Sequence, residues 1–134
     1  ARQARMSDHG GKAVILAVDD TPENLDVVKG ALGDEYVIKA AINGMIALKI
    51  AEKAPPDLIL LDIQMPGMDG FEVMNRLQAV KTTQAVPVIF LTGESDPKVK
   101  QRACEMGARG FVIKPIDGDN LKDTVVDELA KARS

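Results

Sequence analysis

The chain has 134 residues, of which 46% are hydrophobic and only 3% are aromatic, and its formal net charge is −3. This length is enough for one domain with a hydrophobic core and too short for two. The negative charge argues against a nucleic-acid surface, the single cysteine excludes an internal disulfide, and no apolar stretch approaches the roughly 20 residues of a membrane span.

The beginning of the chain is polar. We expect residues 1–12 to form a flexible tail ahead of a domain at 13–134, and residues 1–5 resemble a cloning remnant before a natural start at Met6. The tail lacks the apolar core of a signal peptide, and one cysteine suits a reducing compartment. We therefore expect a cytoplasmic protein.

After the tail, short apolar runs alternate with segments whose apolar residues recur at helical spacing. Strands are predicted at 13–18, 36–41, 57–62, 86–91 and 110–114, and helices at 22–32, 44–54, 69–79, 97–107 and 118–131. Thr21 and Pro22 provide an N-cap and a first helical residue, and Asp96 and Pro97 repeat this signal. The alternation predicts a doubly wound α/β fold with a five-stranded parallel sheet, in which the strand carrying Lys39 suits an edge.

Chemically active side chains stand where the predicted strands end. Asp19 and Asp20 follow the first strand, Asp62 closes the third, Thr92 follows the fourth, and Lys114 closes the fifth. Each of them alone has a simpler interpretation as a helix cap, a loop hydroxyl or a solvated charge. In a parallel sheet, however, the carboxyl ends of the strands share one edge, and ligands bind there. Together the five residues offer a nucleophile, metal ligands, a hydroxyl donor and a cation.

Three neighbouring carboxylates repel one another. At about 4 Å and an effective dielectric constant of about 20, each like-charge pair costs about 4 kcal/mol. Such a cluster raises its own pKa values or attracts a cation, and Lys114 can neutralise one of the charges. An all-oxygen site with open positions favours Mg²⁺, with Mn²⁺ as a substitute, whereas no Cys or His is placed to bind zinc.

Four ordered segments carry a resemblance to a known family. They are VDD at 18–20, LLDIQMPGMDG at 60–70, FLTG at 90–93 and GARGFVIKP at 107–115. With these motifs, residues 13–131 resemble the CheY-like receiver domains of two-component response regulators. The resemblance implies the flavodoxin-like (βα)5 arrangement with the sheet order 2-1-3-4-5.

The resemblance also implies a role for each residue of the site. Asp62 accepts a phosphoryl group from the phosphohistidine of a sensor histidine kinase or a histidine phosphotransfer protein. Lys114 pairs with Asp62 and then with a phosphoryl oxygen, and Thr92 donates its hydroxyl to another. The implied oxygen ligands of Mg²⁺ are Asp20 and Asp62, Asp19 through water, and the backbone carbonyl of Gln64.

Further positions are implied to tune and transmit the signal. Gln64 and Glu94 tune the lifetime of the acyl phosphate. Thr92 and Phe111 are the switch residues, although Phe111 also has the simpler interpretation of a half-buried strand residue. The Lys114–Pro115 peptide bond is implied to be cis, in the one bond type where cis costs little.

The implied domain is a signalling module that catalyses only its own phosphorylation and dephosphorylation. It would act on an output domain or partner protein, or form a phosphorylation-dependent dimer, through the surface of the fourth helix, fifth strand and fifth helix. No direct nucleic-acid or membrane contact is implied. The run DDTPENL at 19–25 resembles receivers joined to cyclic-di-GMP-related output domains.

Other proteins share parts of this pattern. A flavodoxin-like FMN binder needs a phosphate loop rich in Ser, Thr and Gly after the first strand, and a dinucleotide enzyme needs G-x-G-x-x-G; neither is present. An Mg²⁺-dependent aspartyl phosphatase of the haloacid dehalogenase type needs a second acid where Gln64 stands. The serious alternative is a degenerate receiver that acts only through protein contacts, which the complete set of site residues disfavours.

Overall fold

The computed structural model describes residues 11–93 and 97–133. In these ranges strands and helices alternate along the chain. The strands are β1 (Val14–Val18), β2 (Val37–Ala41), β3 (Leu58–Asp62), β4 (Val88–Thr92) and β5 (Gly110–Ile113). The helices are α1 (Pro22–Leu32), α2 (Gly44–Lys53), α3 (Gly70–Gln78), α4 (Pro97–Glu105) and α5 (Gly118–Arg133).

The five strands form one parallel sheet in the order β2-β1-β3-β4-β5, which confirms the predicted architecture and the order implied by the resemblance. Val18 of β1 pairs with Ala41 on one side and with Leu61 on the other. One residue further toward the carboxyl ends Asp62 pairs with Leu91, and one residue beyond that Thr92 pairs with Ile113. The carboxyl ends of the four strands that carry or directly precede the predicted site residues therefore meet at one edge of the sheet.

Aliphatic side chains cover both faces of the sheet, as a parallel sheet requires. Every residue of β1, β3 and β4 is buried. One face packs against α1 and α5, whose buried residues include Leu25, Val28, Leu121 and Val125. The other face packs against α2, α3 and α4. No helix within the described ranges combines the length and the apolar character that crossing a membrane would need.

Some predicted boundaries differ from the observed ones. The fourth strand was expected at 86–91, but β4 runs from Val88 to Thr92. Pro87 has no N–H to donate to a neighbouring strand, and only its carbonyl takes part, accepting from the Ile59 amide at 3.0 Å. The strand therefore begins directly after Pro87, two residues later than predicted, and Thr92 is its last residue. The expected edge position of the strand carrying Lys39 is confirmed.

Helix capping is partly as expected. Thr21 is the N-cap residue of α1 with Pro22 following it, but the Thr21 side chain makes no capping hydrogen bond. Asn43 and Asp69, which sequence analysis did not identify, cap α2 and α3 through their side chains. The predicted cap at Asp96 and all of the predicted tail except residues 11 and 12 lie outside the described residues.

Candidate functional site at the carboxyl edge of the sheet

The three predicted acidic residues come together at the carboxyl edge of the sheet. Asp19, Asp20 and Asp62 offer carboxylate oxygens that all lie within 4.8 Å of one another. Asp19 is fully buried, Asp62 is 2% exposed, and Asp20 is exposed to solvent. The cluster thus has two buried members and one that solvent or an ion can reach directly.

Lys114 bridges the two buried carboxylates. Its Nζ lies 2.9 Å from Asp19 Oδ2 and 3.1 Å from Asp62 Oδ1. Burial lowers the pKa of the Lys114 ammonium, but its hydrogen bonds to Asp19 and Asp62 and their charges outweigh this effect, so that the pKa lies above its ordinary value. The pairing with Asp62 was predicted, whereas the equally short contact with Asp19 was not. The Lys114–Pro115 bond is cis, as expected.

The two oxygens of Asp62 have different surroundings. Oδ1 accepts from Lys114 and, at 3.3 Å, from the backbone N–H of Gln64. Oδ2 is buried and has no hydrogen-bond partner among the residues that the structure describes. Burial raises the pKa of Asp62 from 3.8 to about 6, helped by the charge of Asp19 and opposed by Lys114 and the Gln64 amide. One oxygen is therefore held in place while the other remains available to a cation or an electrophile.

Asp19 is held by donors from three parts of the chain. Its Oδ1 accepts from the backbone N–H of Thr21 at 2.9 Å. Its Oδ2 accepts from Asn24 Nδ2 at 3.2 Å and from Lys114 Nζ at 2.9 Å. Sequence analysis did not identify Asn24. The available signal was its place in the first turn of α1, five residues after Asp19, where a side chain can reach back to the end of β1.

The turn after β3 packs tightly below the site. The Gly70 amide donates to the Ile63 carbonyl at 2.8 Å, which brings the start of α3 onto the end of β3. A Cβ atom at Gly70 would lie 2.5 Å from the Asp62 carbonyl oxygen and 2.8 Å from Ile63 Cα. Gly67, in the same turn, has a φ of +80°, which is unfavourable for other residues. The turn thus packs against the backbone at the Asp62 carbonyl and at Ile63.

The donor set suits a magnesium ion. The available ligands are carboxylate oxygens, as Mg²⁺ prefers, and Asp62 Oδ2 is a buried acceptor with no donor in the described part of the chain. The exposed Asp20 leaves room for the water ligands that Mg²⁺ usually retains. The backbone carbonyl of Gln64 stands two residues beyond Asp62, and the Gln64 side chain is exposed.

Comparison with known proteins places this site in a family. The profile of the response regulator receiver domain matches residues 15–126. The chain belongs to the response regulator receiver family. Receivers of this family are the phosphoacceptor domains of two-component signalling.

Three relatives illustrate the similarity. The chain is 44% identical over 123 residues to a probable cyclic di-GMP phosphodiesterase of Vibrio cholerae, covering 92% of this chain and 28% of that protein. It is 34% identical over 119 residues to PilH of Pseudomonas aeruginosa, covering 88% and 98% of the two chains. The structure of chemotaxis protein CheY4 of Vibrio cholerae matches with a TM-score of 0.80 and 32% identity, covering 91% and 99%.

The relatives differ in how much of their length the receiver represents. The chain spans 28% of the Vibrio cholerae phosphodiesterase and 23% of response regulator PleD of Caulobacter vibrioides, to which it is 41% identical over 106 residues. PilH, in contrast, is matched over nearly all of its length. Receivers of this kind therefore occur both as short proteins and as parts of longer ones.

The predicted switch residues of the receiver occupy the β4–β5 side of the sheet. Thr92 is buried at the end of β4, and Phe111 is half-buried on β5. Phe111 is the register partner of Phe90 and packs against the same core cluster. Phe90 meets Phe71 edge to face at 5.5 Å, and the guanidinium of Arg102 on α4 lies 4.2 Å above the Phe71 ring. The expected tuning residue Glu94 lies outside the described residues.

Proposed function

We propose that Asp62 is the phosphoacceptor of this receiver and that it takes its phosphoryl group from the phosphohistidine of a sensor histidine kinase or a histidine phosphotransfer protein in the cytoplasm. The observation that carries this proposal is the asymmetry of the Asp62 carboxylate. Oδ1 is fixed by Lys114 and the Gln64 amide, while Oδ2 is buried and finds no hydrogen-bond partner within residues 11–93 and 97–133. A rigidly held carboxylate with one uncommitted oxygen can form a covalent acyl phosphate.

The surrounding groups suit phosphoryl transfer, which needs in-line positioning and charge neutralisation more than covalent assistance. Oδ2 of Asp62 attacks the phosphorus, and the bond to the histidine nitrogen breaks. Lys114, already 3.1 Å from Asp62, shifts toward a phosphoryl oxygen. The hydroxyl of Thr92, buried at the end of the next strand, donates to another.

Mg²⁺, or Mn²⁺ in its place, would be held by Asp20, Asp62, the backbone carbonyl of Gln64 and, through water, Asp19. When bound, the ion neutralises the charge that gathers on the phosphoryl oxygens during transfer. Asp19 contributes a further negative charge in contact with Lys114. The set fits the ion because the carboxylates of Asp19, Asp20 and Asp62 each offer an oxygen within 4.8 Å of the others.

Incubation with acetyl phosphate and Mg²⁺ tests the assignment. We expect the intact mass to increase by one phosphoryl group, and we expect Asp62→Asn to abolish the increase. Asp69→Asn is a matched control, because Asp69 is exposed and caps α3 through Oδ1, a role that Asn also fills. A chain that gains no mass is a degenerate receiver, and one that releases many equivalents of phosphate is a phosphatase.

We further propose that phosphorylation alters the surface formed by α4, β5 and α5. Movement of Thr92 toward the phosphoryl group vacates space beside β5 into which Phe111 can turn, so the domain acts as a two-state element biased by one covalent charge. Two cations on or beside this surface already have acidic partners within the domain: Lys122 bonds to Glu35, and Arg109 lies 3.9 Å from Glu128. Lys100 remains a candidate contact.

Light scattering with and without beryllium fluoride tests this surface. We expect the beryllium fluoride form to self-associate or to bind its partner more tightly, and a charge reversal at Lys100 to reduce the effect. Identical association states in both conditions would contradict a phosphorylation-dependent dimer.

We propose cyclic-di-GMP signalling as the output of this receiver. The proposal is supported by 44% identity to the receiver part of a protein named as a probable cyclic di-GMP phosphodiesterase. Deleting the chromosomal gene that encodes this receiver and measuring cellular cyclic di-GMP tests it. We expect the deletion to change the cellular level of cyclic di-GMP. The wild-type gene should restore the original level, and a gene carrying Asp62→Asn should not.

A further inference from the structure

The carboxylate of Asp19 is fully buried and is shared by three donors. The Thr21 amide occupies Oδ1 at 2.9 Å, whereas Asn24 Nδ2 and Lys114 Nζ both bond to Oδ2, at 3.2 and 2.9 Å. The neutral donor Asn24 and the charged donor Lys114 therefore meet at one oxygen atom. Lys114 also contacts Asp62. The position of Asp19 Oδ2 therefore influences where the Lys114 ammonium lies between the two carboxylates.

The fold of α1 aims Asn24 at this oxygen. Asn24 is the third residue of α1, and its backbone N–H donates to the Thr21 carbonyl at 3.0 Å, which closes the first turn. The following residue, Leu25, is 5% exposed and anchors this end of the helix in the core. Asn24 itself is half-buried, so its amide works in a partly desolvated setting where a hydrogen bond to a charged group contributes more than at the surface.

We propose that Asn24 is a positioning residue that, by donating to Asp19 Oδ2, fixes the sharing of Lys114 between Asp19 and the proposed phosphoacceptor Asp62. This proposal rests on the proposed function of Asp62. Without the Asn24 amide, Asp19 Oδ2 has one donor fewer and attracts Lys114 more strongly. The Asp19 carboxylate is then held only by Lys114 and by the hydrogen bond from the Thr21 amide to Oδ1, so it can rotate. Lys114 then lies closer to Asp19 and is less available to the incoming phosphoryl group.

The variants Asn24→Leu and Asn24→Gln distinguish the effect of the amide donor from the effect of side-chain size. Leucine keeps a similar volume but cannot donate, and glutamine keeps the donor on a longer arm. Asn120 provides a matched control, because it is likewise the third residue of its helix, α5, and is exposed. Circular dichroism melts of all variants establish that each one is folded before the site is measured.

Two readouts are needed, and the first does not depend on phosphorylation. In the free protein, the NMR resonances of the Thr21 amide and the Lys114 side chain should shift in Asn24→Leu, since both groups donate to Asp19. They should stay in place in Asn120→Leu. Unshifted Thr21 and Lys114 resonances in Asn24→Leu would overturn the proposal.

The second readout is the initial rate of phosphorylation by acetyl phosphate at saturating Mg²⁺. We expect Asn24→Leu to slow it about tenfold, the size expected for losing one hydrogen bond to a charged group. Asn24→Gln should lie closer to wild type than to Asn24→Leu, and Asn120→Leu should match wild type. A wild-type rate in Asn24→Leu, or equal slowing in Asn120→Leu, would also overturn it. If wild type itself takes up no phosphoryl group, the proposed function fails, while the NMR comparison still decides the role of Asn24.

Discussion

The buried carboxylate of Asp62 should weaken the free fold at neutral pH. Its pKa is raised from 3.8 to about 6, chiefly by burial, so the folded state holds its proton more tightly than the unfolded chain does. Binding this proton more tightly stabilises the folded state. The full stabilisation is present below pH 3.8, the ordinary pKa, and it is lost as the pH rises through about 6. Asp62→Asn keeps the shape of the side chain but cannot ionise, so it should not lose that stability.

The expected difference in the free energy of unfolding follows from the pKa shift of Asp62. A pKa that moves from 3.8 to about 6, at about 1.4 kcal/mol per unit, makes ionised Asp62 cost the folded state up to about 3 kcal/mol. Asp62 is only 2% exposed, so solvent screening removes little of this. Linkage then predicts that Asp62→Asn gains about 1.5 kcal/mol over wild type at about pH 5 and about 3 kcal/mol at about pH 7.5.

Urea denaturation in EDTA across this pH range measures the difference in the free energy of unfolding, with no metal to compensate the charge. Asp69→Asn is again the control, because it makes the same charge change at an exposed helix cap, away from the buried site. A stability difference between Asp62→Asn and wild type that stays constant from about pH 5 to about pH 7.5 would show that burial does not perturb Asp62 and that the reasoning is wrong.

Three further predictions concern the same edge of the sheet. Mg²⁺ should raise the melting temperature of wild type, and Asp20→Asn should melt higher than wild type without metal but respond less to Mg²⁺, because one repelling carboxylate is gone. Gly70→Ala should lower the free energy of unfolding by roughly 1–3 kcal/mol in urea denaturation, since its Cβ meets backbone atoms at 2.5 and 2.8 Å. Gly30→Ala, with nothing within 4 Å in the exposed part of α1, should instead stabilise. Thr92→Ala should still accept a phosphoryl group but transmit the change poorly, so that the NMR resonances of Phe111 and α4 respond less to beryllium fluoride.

Each of these has a result that contradicts it. A lower metal-free melting temperature for Asp20→Asn would mean that repulsion in the carboxylate cluster is already relieved within the protein. If Gly70→Ala and Gly30→Ala change the free energy of unfolding equally, the close approach of α3 to the end of β3 would be contradicted. Equal beryllium fluoride responses in wild type and Thr92→Ala would show that the hydroxyl is not the coupling group.

The order of elements was readable from local pattern alone. Apolar runs and helical periodicity depend on neighbours within one or two turns, and these signals predicted the parallel sheet and all ten elements found in the described ranges. Boundaries failed where hydrogen bonding to another strand decides them, as at Pro87, whose missing N–H moves the start of β4. The gathering of Asp19, Asp20 and Asp62 followed as well, because parallel strands bring their carboxyl ends to one edge.

The sequence by itself determined the kind of fold, the edge that carries the site and the types of side chain there. Only the tertiary structure decided how those side chains share their hydrogen bonds. Lys114 bonds to both Asp19 and Asp62, and Asn24 donates to Asp19. Asp62 has a pKa of about 6 and one oxygen without a partner among the described residues. These features depend on ångström-scale distances between groups far apart in the chain and on their joint removal from water, neither of which any local pattern encodes.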